Sequence, residues 1–145
     1  MKRAICEKRV SEYLTLSTPV ITPRTSVQAA LRLMRDHDLT ALPVCDEGRF
    51  VGLVSEKDLL ALTPSKATSL SRFEINTLLE KVTVGAVTKR PPATVDPETP
   101  LCKAAEMMVG NSAGILPIVE HDRLAGLITW KEILSASMMW NREEA

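Results

Sequence analysis

Apolar residues recur at Val27, Ala30, Leu31 and Met34, and again at Leu101, Ala104, Ala105 and Met108. This i, i+3, i+4, i+7 spacing puts each set on one face of a helix and predicts two surface helices with one buried stripe each. Behind each helix the pattern changes. Short apolar runs at 41–45 and 115–119 lead into the polar turns Asp46-Glu47-Gly48 and Glu120-His121-Asp122, and further apolar runs follow at 50–54 and 124–128. Two such runs divided by a short polar turn predict an antiparallel strand pair. A further helix is expected to begin near Lys57 and near Lys131, and a short first strand is expected around 20–22 and 94–96. Thr25-x-x-Gln28 has the form of a capping box, which places the first helix start just after Pro23.

The two patterns are copies of one unit. At a single offset of 97 − 23 = 74, without a gap, twelve residues between positions 10 and 60 are identical to their partners. They include Val10 with Val84, Met34 with Met108, Leu42-Pro43 with Leu116-Pro117, Gly52-Leu53 with Gly126-Leu127, and Lys57 with Lys131. Chance would supply about three at ordinary residue frequencies. Each copy therefore reads β-α-β-β-α. Between them, the Ser, Thr and Pro of 63–71 predict a loop, and Ser71-x-x-Glu74 offers a capping box for a connecting helix through Leu78 and Leu79. The expected organisation is a first copy with its N-terminal segment at 1–68, a connecting helix at 69–81, and a second copy with a C-terminal helix at 82–145. Met138-Met139-Trp140, beside the charged Arg142-Glu143-Glu144, reads as a packing surface.

Composition narrows the class. A chain of 145 residues with 45% apolar content has material for an ordinary core. Eighteen basic residues balance eighteen acidic ones, so no global field draws in nucleic acid or an anionic membrane. No apolar run reaches the ~18 residues of a membrane-spanning helix, and Lys2, Arg3, Glu7, Lys8 and Arg9 interrupt the N-terminus. Cys6, Cys45 and Cys102 are odd in number, far apart and without a CxxC pair, so they read as reduced thiols of a cytoplasmic protein.

The order of elements, with Leu42-Pro43-Val44 then Gly52-Leu53-Val54-Ser55-Glu56-Lys57-Asp58, resembles the CBS motif of the cystathionine β-synthase type. Its second occurrence is Leu116-Pro117-Ile118 with Gly126-Leu127-Ile128-Thr129-Trp130-Lys131-Glu132, and the resemblance covers 10–135. It implies a mixed α/β (α+β) fold in which two tandem motifs pack about a pseudo-twofold axis, enclose two clefts, and assemble as a homodimer. It implies an adenosine-containing ligand, such as AMP, ADP, ATP or S-adenosylmethionine, with no required cofactor and no metal. The implied function is regulatory: ligand binding rearranges the module and thereby controls an effector protein.

By the same resemblance the ribose is gripped by Ser55 and Asp58 in one cleft and by Thr129 and Glu132 in the other. An ionised carboxylate can accept from two adjacent ribose hydroxyls, and such charge-assisted bonds are strong. The start of the following helix, at Lys57 or Lys131, would also suit an anion. The same spacing is what a capping box produces without any ligand, and Glu132 departs from the family's Asp in the direction a cap prefers. The adenine side is implied to come from the partner copy: Ala93, Gly114 and Ile115 for the Ser55 cleft, and Pro19, Thr40 and Ala41 for the Thr129 cleft. Those residues could equally serve ordinary strand packing. No basic residue stands directly before either Leu-Pro; Lys57, Lys89, Arg90 and Arg24 are the substitutes for holding phosphate, or are simply solvated.

An enzyme of another class would need a constellation that the chain does not offer. His37 falls at a helix end and His121 in a turn, and no Gly-x-Ser-x-Gly, P-loop or His-Glu-x-x-His is present. The alternative to a ligand sensor is a dimerisation or docking module whose clefts are filled by its own side chains.

Overall fold

The computed structural model describes residues 6–15, 18–63, 69–89, 94–110 and 114–144, with side chains as far as Met138. Helix α1, Val27–Asp36, buries Val27, Ala30 and Met34 along the predicted stripe. Its cap is not the expected one. Ser26 is the N-cap and its Oγ accepts from the Ala29 N–H at 3.1 Å. Thr25 lies one residue too early and its hydroxyl accepts the Thr22 N–H at 3.2 Å, closing the preceding turn. Only the residue whose oxygen reaches N2 or N3 satisfies the open helix end.

Strands β1, Ala41–Asp46, and β2, Arg49–Ser55, pair antiparallel, with Leu42 opposite Val54 and Ala41 opposite Ser55. Strands β3, Ile115–Glu120, and β4, Arg123–Thr129, repeat this, with Ile115 opposite Thr129. Both hairpins close on two residues with positive φ, 51° and 83° at Glu47 and Gly48, 52° and 63° at His121 and Asp122. That geometry matches the twist of the flanking strands. The expected first strands contract to single bridges, Ile21 parallel to Val44 and Val95 parallel to Ile118. Neighbouring Pro23 and Pro97 have no N–H to extend a ladder. The remaining helices are α2, Glu56–Leu60; α3, Arg72–Lys81; α4, Leu101–Val109; and α5, Trp130–Glu144. Helix α3 opens on the predicted capping box: Ser71 Oγ accepts the Glu74 N–H at 3.1 Å, and the Glu74 carboxylate accepts the Ser71 N–H at 3.3 Å.

The chain forms two compact units whose lines differ from those of the sequence copies. One comprises Met1–Ser17 with Pro92–Ala145, the other Thr18–Pro91. Each copy thus lends its first segment to the unit built by the other. In the first unit the Val10 N–H donates to Thr99 O at 3.0 Å, the Ser11 N–H to Pro97 O at 3.2 Å, and Thr15 and Leu127 exchange both backbone bonds at 2.9 and 3.1 Å. In the second the Val84 N–H donates to Thr25 O at 2.8 Å, the Gly85 N–H to Pro23 O at 3.0 Å, and Lys89 and Leu53 exchange bonds at 2.9 and 2.8 Å. Every pair in one unit is its counterpart in the other shifted by 74 residues. The short 3-10 turns Val10–Glu12 and Val84–Ala86 lock the segments in, since Val10 and Val84 are each fully buried in their unit's core. Those cores are otherwise made of the helix stripes and the inward strand residues, Leu101, Met108, Leu116 and Ile118 in one, Met34, Leu42, Val44 and Leu59 in the other.

This exchange overturns the expectation of three reduced thiols. Cys6, on the borrowed segment, is disulfide-bonded to Cys102 in α4, with Cα atoms 4.8 Å apart despite a sequence separation of 96. Spacing along the chain could not reveal the pair because the exchange creates it. Cys45 is free and half-buried, and burial pushes its thiol up from the ordinary value. His37 caps the C-terminus of α1 and His121 sits in the β3–β4 turn, both exposed. Among the described residues no helix is long and apolar enough to cross a membrane.

Candidate functional site

Strand β2 ends on Ser55, and the same residue starts α2. Its Oγ accepts the Asp58 N–H at 3.1 Å, so the capping interaction anticipated from the spacing is formed. The Glu56 N–H donates to Thr40 O at 2.8 Å, tying the helix start to the residue before β1. Two N–H groups of this first turn, those of Glu56 and Asp58, are therefore committed within the protein. Lys57 itself is exposed in α2.

With its N–H engaged by Ser55, Asp58 keeps its carboxylate for other partners. Lys89 Nζ stands 3.4 Å from Asp58 Oδ1, the Asp side chain 28% exposed and the Lys side chain 72%. Lys89 reaches this place through backbone pairing with Leu53, which depends on Gly52. A Cβ on Gly52 would lie 2.5 Å from the Lys89 carbonyl oxygen. The repeated glycine of the motif is thus a close-approach residue. The result in this unit is a hydroxyl, a part-exposed carboxylate and an ammonium at one strand-to-helix junction, with Thr40 and Ala41 beside them. Arg24, the fourth phosphate candidate, is held at 2.9 Å by Asp46.

The other unit builds the equivalent junction differently. Thr129 ends β4, and its hydroxyl donates to Glu132 Oε2 at 2.6 Å. The longer acid folds back onto its own Thr, which the shorter Asp58 does not do. The place of Lys89 is taken by Thr15, which pairs with Leu127. Gly114, at φ 68°, lies close to the Trp130 ring, whose Cδ1 would be 3.3 Å from an added Cβ. Trp130 was not singled out by the sequence, because it occupies a variable position of the motif.

Each unit brings together the residue before its Leu-Pro and its own hydroxyl: Thr40 and Ala41 with Ser55, Gly114 and Ile115 with Thr129. Pro19 belongs to the unit of Ser55. Ala93 and Arg90 lie outside the described residues. Among the described residues no group of His, Cys, Asp or Glu is placed to hold a metal.

The family model for the CBS domain matches twice, over residues 10–64 and 84–138. The chain belongs to the CBS-domain family. It is 31% identical over 86% of its length to an uncharacterized protein of Methanocaldococcus jannaschii, and 32% identical over 92% of its length to the chloroplastic CBS domain-containing protein CBSX1 of Arabidopsis thaliana. It spans 45% and 65% of those two relatives' lengths. The crystal structure of the CBS-pair protein CBSX2 from Arabidopsis thaliana superposes with a TM-score of 0.76 at 32% identity, covering 92% of this chain and 96% of that one. A structure of CBSX2 in complex with AMP matches with a TM-score of 0.73 at 30% identity, covering 92% and 98%. The mixed α/β CBS-pair fold expected from the sequence is the fold observed.

Proposed function

We propose that this CBS pair is a regulatory sensor of an adenosine nucleotide and that the Ser55–Asp58 junction is its principal ligand-binding point. The observation that carries the reading is the part-exposed Asp58 carboxylate beside the Lys89 ammonium. A ribose diol offers two donors to the carboxylate, and a phosphate offers an anion to the ammonium, so one ligand satisfies both groups. The AMP complex of the 30% identical CBSX2 supports this ligand class. Thr129 and Glu132 form the weaker site, because the Thr129 hydroxyl hydrogen and Glu132 Oε2 are already engaged with each other. Lys57 and Arg90 are secondary candidates for the phosphate. The module carries out no chemistry of its own and acts in the cytoplasm on a separate effector. Its ligand can shift only an equilibrium between two arrangements to which it binds unequally.

Calorimetry with AMP, ATP, adenosine and S-adenosylmethionine tests the reading. Asp58→Ala is expected to cost about 1.5–3 kcal/mol, the range for a hydrogen bond to a charged group, or about 10- to 150-fold in Kd. Glu132→Ala is expected to cost less. No heat with any of the four, or equal affinity in Asp58→Ala, defeats it.

A second reading is favoured by one feature. Trp130, Leu134 and Met138 fall four residues apart on α5 and are 39%, 60% and 60% exposed. A homodimer or docking module would use such a stripe. Sedimentation that finds a monomer at high micromolar concentration removes the homodimer.

A further inference from the structure

The strongest observation that nucleotide sensing does not absorb is the covalent bond between the borrowed first segment and α4. We propose that Cys6–Cys102 is a reversible thiol–disulfide exchange site, opened by a dithiol reductant, that latches segment 6–15 onto its unit. The inference is independent of the ligand reading.

The molecule contains its own control. Segment 80–89 is the twin of 6–15, and it docks by the same backbone bonds: Val27 N–H to Val82 O at 2.8 Å matches Leu101 N–H to Lys8 O at 2.8 Å. At the twin positions of Cys6 and Cys102 stand Glu80 and Gln28, so no covalent bond is available there. That segment is instead anchored by α3, whose Leu79 is buried in the core of its unit. The architecture therefore holds such a segment without a disulfide. Where the cysteines stand, retention of the segment becomes conditional on redox state.

The positions suit exchange chemistry. Cys6 is an exposed residue, while Cys102 is half-buried as the second residue of α4, so attack is directed to Cys6. One thiolate of the reductant bonds to Cys6 Sγ, the Cys6–Cys102 bond breaks, and Cys102 leaves as a thiolate, favoured by its place in the first turn of a helix. Cys102 then takes a proton from solvent. The second thiol of the reductant, as its thiolate, attacks its partner sulfur in the mixed disulfide and expels Cys6 as a thiolate, which is protonated in turn. Two electrons have passed from the dithiol to the protein, and the reductant has become a disulfide. The freed segment retains the Arg9–Glu98 ion pair and the backbone bonds to Pro97, Thr99, Leu101 and Leu127. It loses the covalent closure that keeps them made. Its far end, Thr15, pairs with Leu127, two residues from the end of β4, so opening the latch loosens that edge of the strand.

Hydrogen exchange on the whole chain tests this, with the oxidised protein compared against dithiothreitol-treated protein and Cys6→Ser. The Val10, Ser11 and Leu101 amides are expected to exchange at least ~10-fold faster when the bond is absent, as local opening of one unit requires. The twin amides of Val84, Gly85 and Val27 should hold their rates. Removing dithiothreitol and adding an oxidised dithiol should restore both the bond and the protection. Cys102→Ser should reproduce Cys6→Ser, and reduced wild type supplies the measurement if either variant fails to fold. Unchanged rates in protein shown by thiol counting to be reduced overturn the proposal. So does equal acceleration at the twin amides, or a chain that keeps both thiols free under the oxidised dithiol.

Discussion

Gly52→Ala puts a methyl group where the backbone of Lys89 already lies. The added Cβ would stand 2.5 Å from the Lys89 carbonyl oxygen, 2.9 Å from its carbonyl carbon and 3.1 Å from Thr88 Cγ2. Backbone atoms cannot swing aside as a side chain can, so relief means moving residue 89 off β2. That movement breaks the two backbone bonds between Leu53 and Lys89, at 2.8 and 2.9 Å. Staying put costs about 1–3 kcal/mol of overpacking. Moving costs two hydrogen bonds at about 0.5–1.5 kcal/mol each. The chain takes the cheaper course or a mixture, so a loss of about 2 kcal/mol is expected. Gly126→Ala is the internal comparison. Its Cβ would meet Leu14, at 2.7 Å from Cδ1 and 3.1 Å from Cβ. The closest atom is the tip of a flexible side chain, and a displaced rotamer costs about 0.5–1.5 kcal/mol. Urea titration separates the two, since at about 2 kcal/mol/M the midpoints should fall by about 1 M for Gly52→Ala and about 0.5 M for Gly126→Ala. Gly52→Ala should also carry Lys89 away from Asp58 and weaken the binding of a phosphorylated ligand more than that of adenosine. A midpoint shift for Gly126→Ala equal to or larger than that for Gly52→Ala would refute the close-approach argument.

Further tests address local features. Ser71→Ala removes half of a formed capping box, and should cost about 1 kcal/mol; in a thermal scan the Tm should drop by about 2–4 °C, while no change would show that α3 does not depend on its cap. Burial raises the Cys45 thiol above its ordinary 9.0. Because only the thiolate reacts, alkylation of native Cys45 should be slow at neutral pH and should keep rising with pH beyond 9.0, whereas the urea-unfolded chain should react faster and level off earlier. Identical profiles for native and unfolded chain would contradict that burial.

Much of the local architecture was legible because it is written at short range. The stripe of Val27, Ala30 and Met34, the short apolar runs on either side of each turn, the turn residues and the Ser71 cap act within a few positions of each other. A helical period, or a short apolar run bounded by a polar turn, makes each element recognisable before any tertiary contact exists. Where two neighbours compete for one cap, as Thr25 and Ser26 do, the pattern was ambiguous by a residue, and the geometry of the preceding turn decided. The candidate site divides in the same way. Ser55 and Asp58 were visible as a motif, and so was the difference between Asp58 and Glu132. That Asp58 faces Lys89 depends on where residue 89 is laid along β2, whereas the closure of Glu132 onto Thr129 follows from its longer side chain.

The duplication itself was fixed in the sequence, since twelve identities in one register mark two copies of one unit. Tertiary structure alone decided which first segment completes which copy. Backbone hydrogen bonds carry no sequence label, so Val10 reads the same whether it docks beside Thr25 or beside Thr99, and it docks beside Thr99. From that choice follow the approach of Lys89 to Asp58, the need for glycine at position 52, and the meeting of Cys6 with Cys102 across 96 residues. Each brings together groups far apart along the chain, and no local periodicity encodes a distance of that kind.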